Sequence, residues 1–123
     1  MRVLVVDGAN VMGSRPDGWW RDRAGAAHRL HEQLTAADLP HELVVLVLEG
    51  DARQGHPEGC EGRVRTVHAS GYGDDAIVDA VTESLSTGDA PEVVVVTADR
   101  ALRARVEAAG ARSTGPSWLL ERL

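Results

Sequence analysis

Four short apolar runs punctuate the chain. Residues 3–6 (Val-Leu-Val-Val), 43–48 (Leu-Val-Val-Leu-Val-Leu) and 93–96 (all valine) are continuous rather than alternating, and residues 64–67 hold valines at both ends. Continuous β-branched runs of this length predict strands buried on both faces. Between them the apolar period changes to three and four. Trp20, Ala24, Ala27, Leu30, Leu34 and Ala37 mark an amphipathic helix that stops near Pro40. Asp74 opens a second helix carrying Ile77, Ala80, Val81 and Leu85, and Asp99 a third carrying Leu102, Val106 and Ala109, ended by Gly110. Residues 111–113 read as a brief fifth strand and 117–123 as a terminal helix. Residues 8–18, rich in Gly, Asn, Ser and Pro, read as a loop, and 50–62, with four glycines and a proline, as a flexible connection.

Strands alternating with helices imply a parallel sheet covered on both sides, joined by right-handed crossovers. The expectation is a three-layer, doubly wound α/β fold with strand order 3-2-1-4-5. The order then reverses between the first and fourth strands, and ligands in such sheets bind there, outside the carboxyl ends. The first strand ends in Asp7 and the fourth leads to Asp99, so the two acids are expected to meet at that crevice.

Length and composition narrow the field. A chain of 123 residues predicts one domain over 1–123. Hydrophobic residues at 43% and charged residues at 26% describe a soluble globular protein, with no run long enough to span a membrane. Asp7 interrupts any signal-peptide core, and the single Cys60 leaves no internal disulfide, so the expected location is the cytoplasm. All 13 basic residues are arginine. The absence of lysine excludes a Walker-type phosphate loop, a pyridoxal Schiff base and a phospho-acceptor receiver domain. No Gly-x-Gly-x-x-Gly follows the first strand, the Asp-x-Asp of dehalogenase-like phosphatases is missing, and no nucleophile elbow occurs. His56, Cys60 and His68 lack the paired spacing of a zinc motif. A net charge of -6 disfavours extended duplex binding, which depends on many phosphate contacts.

What remains is a set of acids and amides at the expected sheet edge. They are Asp7 with Asn10, then Glu49 and Asp51, then Asp74 and Asp75 with Asp79, then Thr97 and Asp99 with Arg100. Taken one at a time, Asp74 and Asp99 can be helix caps and Asp7 a turn former. Gathered at one edge they repel, and a divalent cation relieves that repulsion. Oxygen donors suit Mg²⁺ or Mn²⁺. Glu49 and Asp51 are the weaker members, because a mobile loop is expected to begin there.

The ordered set Val5-Val6-Asp7-Gly8-Ala9-Asn10, Asp74-Asp75-Ala76-Ile77 and Val94-Val95-Val96-Thr97-Ala98-Asp99-Arg100 resembles the NYN branch of the PIN-like nucleases, over the whole chain. The resemblance implies a metal-dependent ribonuclease, with Asp7, Asn10, Asp74 or Asp75, and Asp99 at the metal site; Thr97 would support it, and Asp79, four residues after Asp75 on one helix face, is either a further support or a solvated charge. The chain departs from the family pattern by one residue between Thr97 and Asp99, and by Glu49 where many relatives carry aspartate. The implied substrate is RNA, and splayed bases of single-stranded or looped RNA fit better than a duplex. Arg15, Trp19, Arg21 and Arg100 are the candidate substrate contacts. By helical phase Trp20 belongs to the core; Trp19 is out of that phase by one residue, and is either a second core residue at the helix start or a stacking platform for a base. Two other readings share the acids: a catalytically silent RNA-binding or regulatory module, and a hydrolase of free nucleotides.

Overall fold

The computed structural model describes residues 1–87 and 92–123. Six strands form one sheet: β1 (Arg2–Asp7), β2 (Leu43–Leu48), β3 (Gly59–Glu61), β4 (Val64–His68), β5 (Glu92–Val96) and β6 (Arg112–Thr114). Their spatial order is β3-β4-β2-β1-β5-β6. All neighbours are parallel except β3, which pairs antiparallel with β4. The expected order of five parallel strands is therefore corrected by one edge strand. Residues 50–62 are not a plain connection: Gly50–Gly55 form a 3-10 turn and Gly59–Glu61 form β3. Its residues are all exposed, so no apolar pattern announces it; the ladder to β4 alone makes the strand.

Among the described residues the α-helices are α1 (Gly8–Gly13), α2 (Arg23–Ala36), α3 (Gly73–Leu85), α4 (Arg100–Ala108) and α5 (Pro116–Leu120). The valine-rich strands bury alternate residues on opposite faces, which gives two cores. Leu4, Val6, Leu46 and Leu48 pack with Val11, Leu30 and Leu34 on the α1/α2/α5 side. Val3, Val5, Val45 and Val47 pack with Ile77, Val81, Leu102 and Val106 on the α3/α4 side. This is the three-layer arrangement that continuous apolar strands require. Among the described residues no helix is long and apolar enough to cross a membrane.

The expected loop at residues 8–18 begins instead as α1, which follows β1 with no intervening residue. Asp7 is its N-cap, accepting from the Asn10 backbone N–H at 3.3 Å. Gly8 makes this junction possible, because a Cβ there would stand 2.6 Å from the Val47 carbonyl oxygen of β2. Residues Trp19–Arg21 form a 3-10 turn, and α2 starts only at Arg23, capped by Asp22, which accepts from the Gly25 N–H at 2.9 Å. That turn overturns the core role expected of Trp20. Trp20 is 55% exposed, whereas Trp19 is half-buried and packs against the α1/α2 core.

Candidate functional site

In the parallel pairing of β1 with β5, Val6 lies opposite Val96, so Asp7 and Thr97 leave adjacent strands side by side. The chain order reverses between these two strands, and the crevice lies beyond their carboxyl ends. The Thr97 hydroxyl is buried and donates to Asp7 Oδ2 at 2.9 Å. The same hydroxyl accepts from the Asp99 N–H at 3.2 Å. Asp99 caps α4, accepting from the Leu102 N–H at 3.1 Å. Asn10, on the first turn of α1, accepts from the Ala98 N–H at 2.9 Å and ties the two strand ends together. Four of the six residues of this network, Asp7, Asn10, Thr97 and Asp99, were singled out in the sequence; the bonds that join them span up to 90 positions.

A cleft of about 570 Å³ opens above this network. Asp7, Asn10, Asp74, Asp75 and Asp99 line it, together with Glu49, Tyr72 and Arg105. Glu49 is thus a full member of the site. It follows β2 directly, and its Oε2 accepts from the Gly73 N–H at 2.7 Å, which fixes the start of α3 against the end of β2. Asp51 lies on the 3-10 turn and does not line the cleft.

The two acids at the start of α3 have different surroundings. Asp74 is half-buried, and its charge acts on Asp7. Asp75 is exposed and pairs with Arg105 of α4 at 3.0 Å. Asp79 stands one turn further along α3 and faces a separate groove with Arg65 and His68, so it is not brought to the cleft. Arg15, Arg21 and Arg100 do not line the cleft either. Arg21 lies over the exposed Trp20 ring, 5.7 Å from its centroid. Trp19 lines an adjoining, mostly apolar recess of about 550 Å³ with Met12, Ala52 and Tyr72. Ala9, Glu49 and Tyr72 border both cavities. Tyr72 and Arg105 carry no sequence signal. A lone tyrosine before a helix and one arginine among 13 become notable only through their place on the rim.

The electrostatics follow from this packing. Burial pushes the Asp7 carboxyl above its ordinary value of 3.8, and the charges of Glu49 and Asp74 push in the same direction. Hydrogen bonds from Thr97 and the Asn10 N–H oppose that rise. Among the described residues, Asp7, Glu49, Asp74 and Asp99 have no ion-pair partner; the one arginine on the cleft wall is held by Asp75. The carboxylates stand around the cleft and do not converge on a point, since no three of them bring oxygens within 4.8 Å of one another. By donor type, all-oxygen and anionic, the set suits a hard cation such as Mg²⁺.

No protein-family model matches the chain, and no curated protein matches it in sequence. Solved structures do match its fold. One is Rae1 (YacP) from Bacillus subtilis, at 19% identity and a TM-score of 0.65, covering 98% of this chain and 72% of that one. A single-residue mutant of the same protein matches at 18% identity and a TM-score of 0.66, covering 98% of this chain and 74% of that one. At this identity the likeness is one of fold.

Proposed function

We propose that the chain is a PIN-like ribonuclease of the NYN type that hydrolyses RNA phosphodiesters with Mg²⁺ or Mn²⁺. The observation that carries the reading is the gathering of Asp7, Glu49, Asp74 and Asp99, from four separate elements, around the cleft at the β1/β5 ends, where the one arginine on the wall is paired with Asp75. These four residues would hold the metal, directly or through water. The chemistry such an ion would supply, when bound, is Lewis acidity toward a water and toward the phosphate oxygens. Thr97 is a positioning residue: its hydroxyl orients Asp7 and the Asp99 backbone. Asn10 fixes the β5–α4 junction through Ala98 and offers its amide to a phosphate oxygen. Arg105 stands on the same wall, where a phosphate can compete with Asp75 for it.

Single-stranded or looped RNA suits the surroundings. Tyr72 is 89% exposed between the acidic cleft and the recess that Trp19 lines, so an unpaired base can stack beside the site. The overall charge of -6 opposes binding along a duplex. The test is cleavage of a fluorescently labelled single-stranded RNA with added Mn²⁺, using wild type, Asp7→Asn, Glu49→Gln and Asp99→Asn. Metal-dependent cleavage by wild type and its loss in the folded variants is the expected result. Full activity in Asp7→Asn and Asp99→Asn, or activity undiminished by EDTA, would sink the assignment.

A further inference from the structure

A second cluster lies at the opposite border of the sheet from β6. His31 of α2, His56 after the 3-10 turn, and Glu61 of β3 bring one ligand atom each within 4.8 Å of one another. The Glu61 Oε2 lies 3.0 Å from His56 Nε2 and 3.6 Å from His31 Nε2. The two imidazoles are stacked, with centroids 3.5 Å apart and planes 17° from parallel.

Proton counting shows what this arrangement lacks. His56 Nδ1 sits 2.9 Å from the Pro57 carbonyl oxygen, which only accepts, so Nδ1 carries the proton. In a neutral ring Nε2 then presents a lone pair, and it faces the lone pairs of a carboxylate. His31 is deeper, with a side chain only 4% exposed, and its Nε2 is buried with no hydrogen-bond partner. A proton on His56 would satisfy Glu61 and still leave the His31 nitrogen orphaned, which costs about 1–3 kcal/mol in a buried site. Whether or not His56 shares a proton with Glu61, the buried His31 Nε2 faces the same carboxylate with no partner of its own.

We propose that His31, His56 and Glu61 form a site for a divalent ion of zinc's class, separate from the acidic crevice. Two imidazole nitrogens and one carboxylate, with water completing a tetrahedron, are an ordinary zinc donor set, whereas nitrogen donors suit Mg²⁺ poorly. The site is supported from behind in the way metal-ligating histidines are. Pro57 fixes the His56 tautomer, and His68 Nε2 lies 2.7 Å from the His56 carbonyl oxygen. The turn that carries His56 is seated tightly on α2, because a Cβ at Gly55 would collide with the Ala24 carbonyl. Ligation requires the stacked rings to fan apart until both nitrogens reach about 2.0–2.1 Å from the ion. The exposed Glu61 is free to follow. Cys60 is not a ligand, since adjacent strand residues point to opposite faces. The ion would fasten α2, the 3-10 turn and the exposed edge strand β3 to one another.

The experiment titrates the chelator-stripped full chain with ZnCl₂, following histidine ring nitrogens by NMR and affinity by calorimetry. One equivalent should shift the rings of His31 and His56 together, leave His28 and His41 unmoved, and raise the melting temperature. Glu61→Gln, on the exposed strand where folding is not at stake, should weaken zinc binding at least about tenfold, as should His56→Ala. Asp7→Asn should bind zinc as wild type does. Unmoved rings of His31 and His56 at ten equivalents would overturn the site. So would equal affinity in wild type and Glu61→Gln, or zinc binding lost in Asp7→Asn, which would assign the ion to the crevice.

Discussion

Replacing Thr97 by valine isolates the bond that holds Asp7. The side chain is fully buried, and valine matches its shape, so no cavity forms. What disappears is the 2.9 Å donation to Asp7 Oδ2 and the 3.2 Å acceptance from the Asp99 N–H. A hydrogen bond to a charged acceptor is worth about 1.5–3 kcal/mol, and the part-buried Asp99 N–H recovers some bonding from water. A loss of about 2 kcal/mol is expected at pH 7, roughly 8 °C in melting temperature for a chain of this size. The sign of the pH effect follows from Asp7. Its folded pKa lies above the ordinary 3.8, so its ionisation costs stability as pH rises through the folded value. Thr97 restrains that rise, and without it the cost grows; the Thr97→Val penalty is therefore larger at pH 7 than below the Asp7 pKa. In an Asp7→Asn background the same change breaks only a neutral bond, worth about 1 kcal/mol. The assay is urea unfolding of the four members of the cycle at pH 7. Equal midpoints for wild type and Thr97→Val, or an equal penalty with and without the Asp7 charge, would refute the claim that this hydroxyl supports a buried carboxylate.

Asp74→Asn should reduce Mn²⁺-dependent RNA cleavage by on the order of a hundredfold, the scale of losing a charge-stabilising group, and Asp75→Asn by much less, because Asp75 faces Arg105. Steady-state cleavage by both variants checks this, and the reverse ranking would exchange their roles. Trp19→Ala should cost about 1–3 kcal/mol, below the range for a fully buried tryptophan, while Trp20→Ala should stay within about 0.5 kcal/mol. Scanning calorimetry separates the two, and equal melting losses would contradict the packing. Burial holds His31 and His41 below the ordinary 6.5, among His28, Glu32, His56 and Glu61 for the first and Arg2, Glu42, Arg63 and Glu92 for the second. The unfolded chain therefore binds protons that the folded chain refuses, and stability is complete above pH 6.5 and declines as pH falls below it. Urea midpoints at pH 7.5 and 5.5 measure the decline; identical values would mean that both rings are protonated in the fold.

The central strands were legible because uninterrupted valine runs have few other ways to be buried. Asp7 and Asp99 were legible for the same reason, since a strand end in a parallel sheet has a known address. Features built by tertiary contact were not. The short α1 contains Gly8, Asn10 and Gly13, poor helix formers, and it exists because Val11 and Met12 are buried against the sheet. The tryptophan phase failed because a 3-10 turn has three residues per turn, so a 3.6 period extended back from Ala24 points to the wrong ring. Glu49 looked marginal while a mobile loop seemed to begin there; its partner, the Gly73 N–H, lies 24 residues away. His31, His56 and Glu61 meet only because the 50–61 segment folds back on α2.

The position of β1 between β2 and β5 has a further consequence for how the molecule breathes. Asp7 ends β1, which has a neighbour on each side, and Thr97 follows β5, its partner on one of them, so separating the two means breaking a pairing inside the sheet. In amide hydrogen exchange these strands should open only with global unfolding, whereas β3, a three-residue edge strand with every side chain exposed, should exchange at far lower cost. The floor of the crevice should then open only as the fold itself opens. What freedom the crevice has falls to its walls, where Glu49 leads into the 3-10 turn and Tyr72 precedes α3.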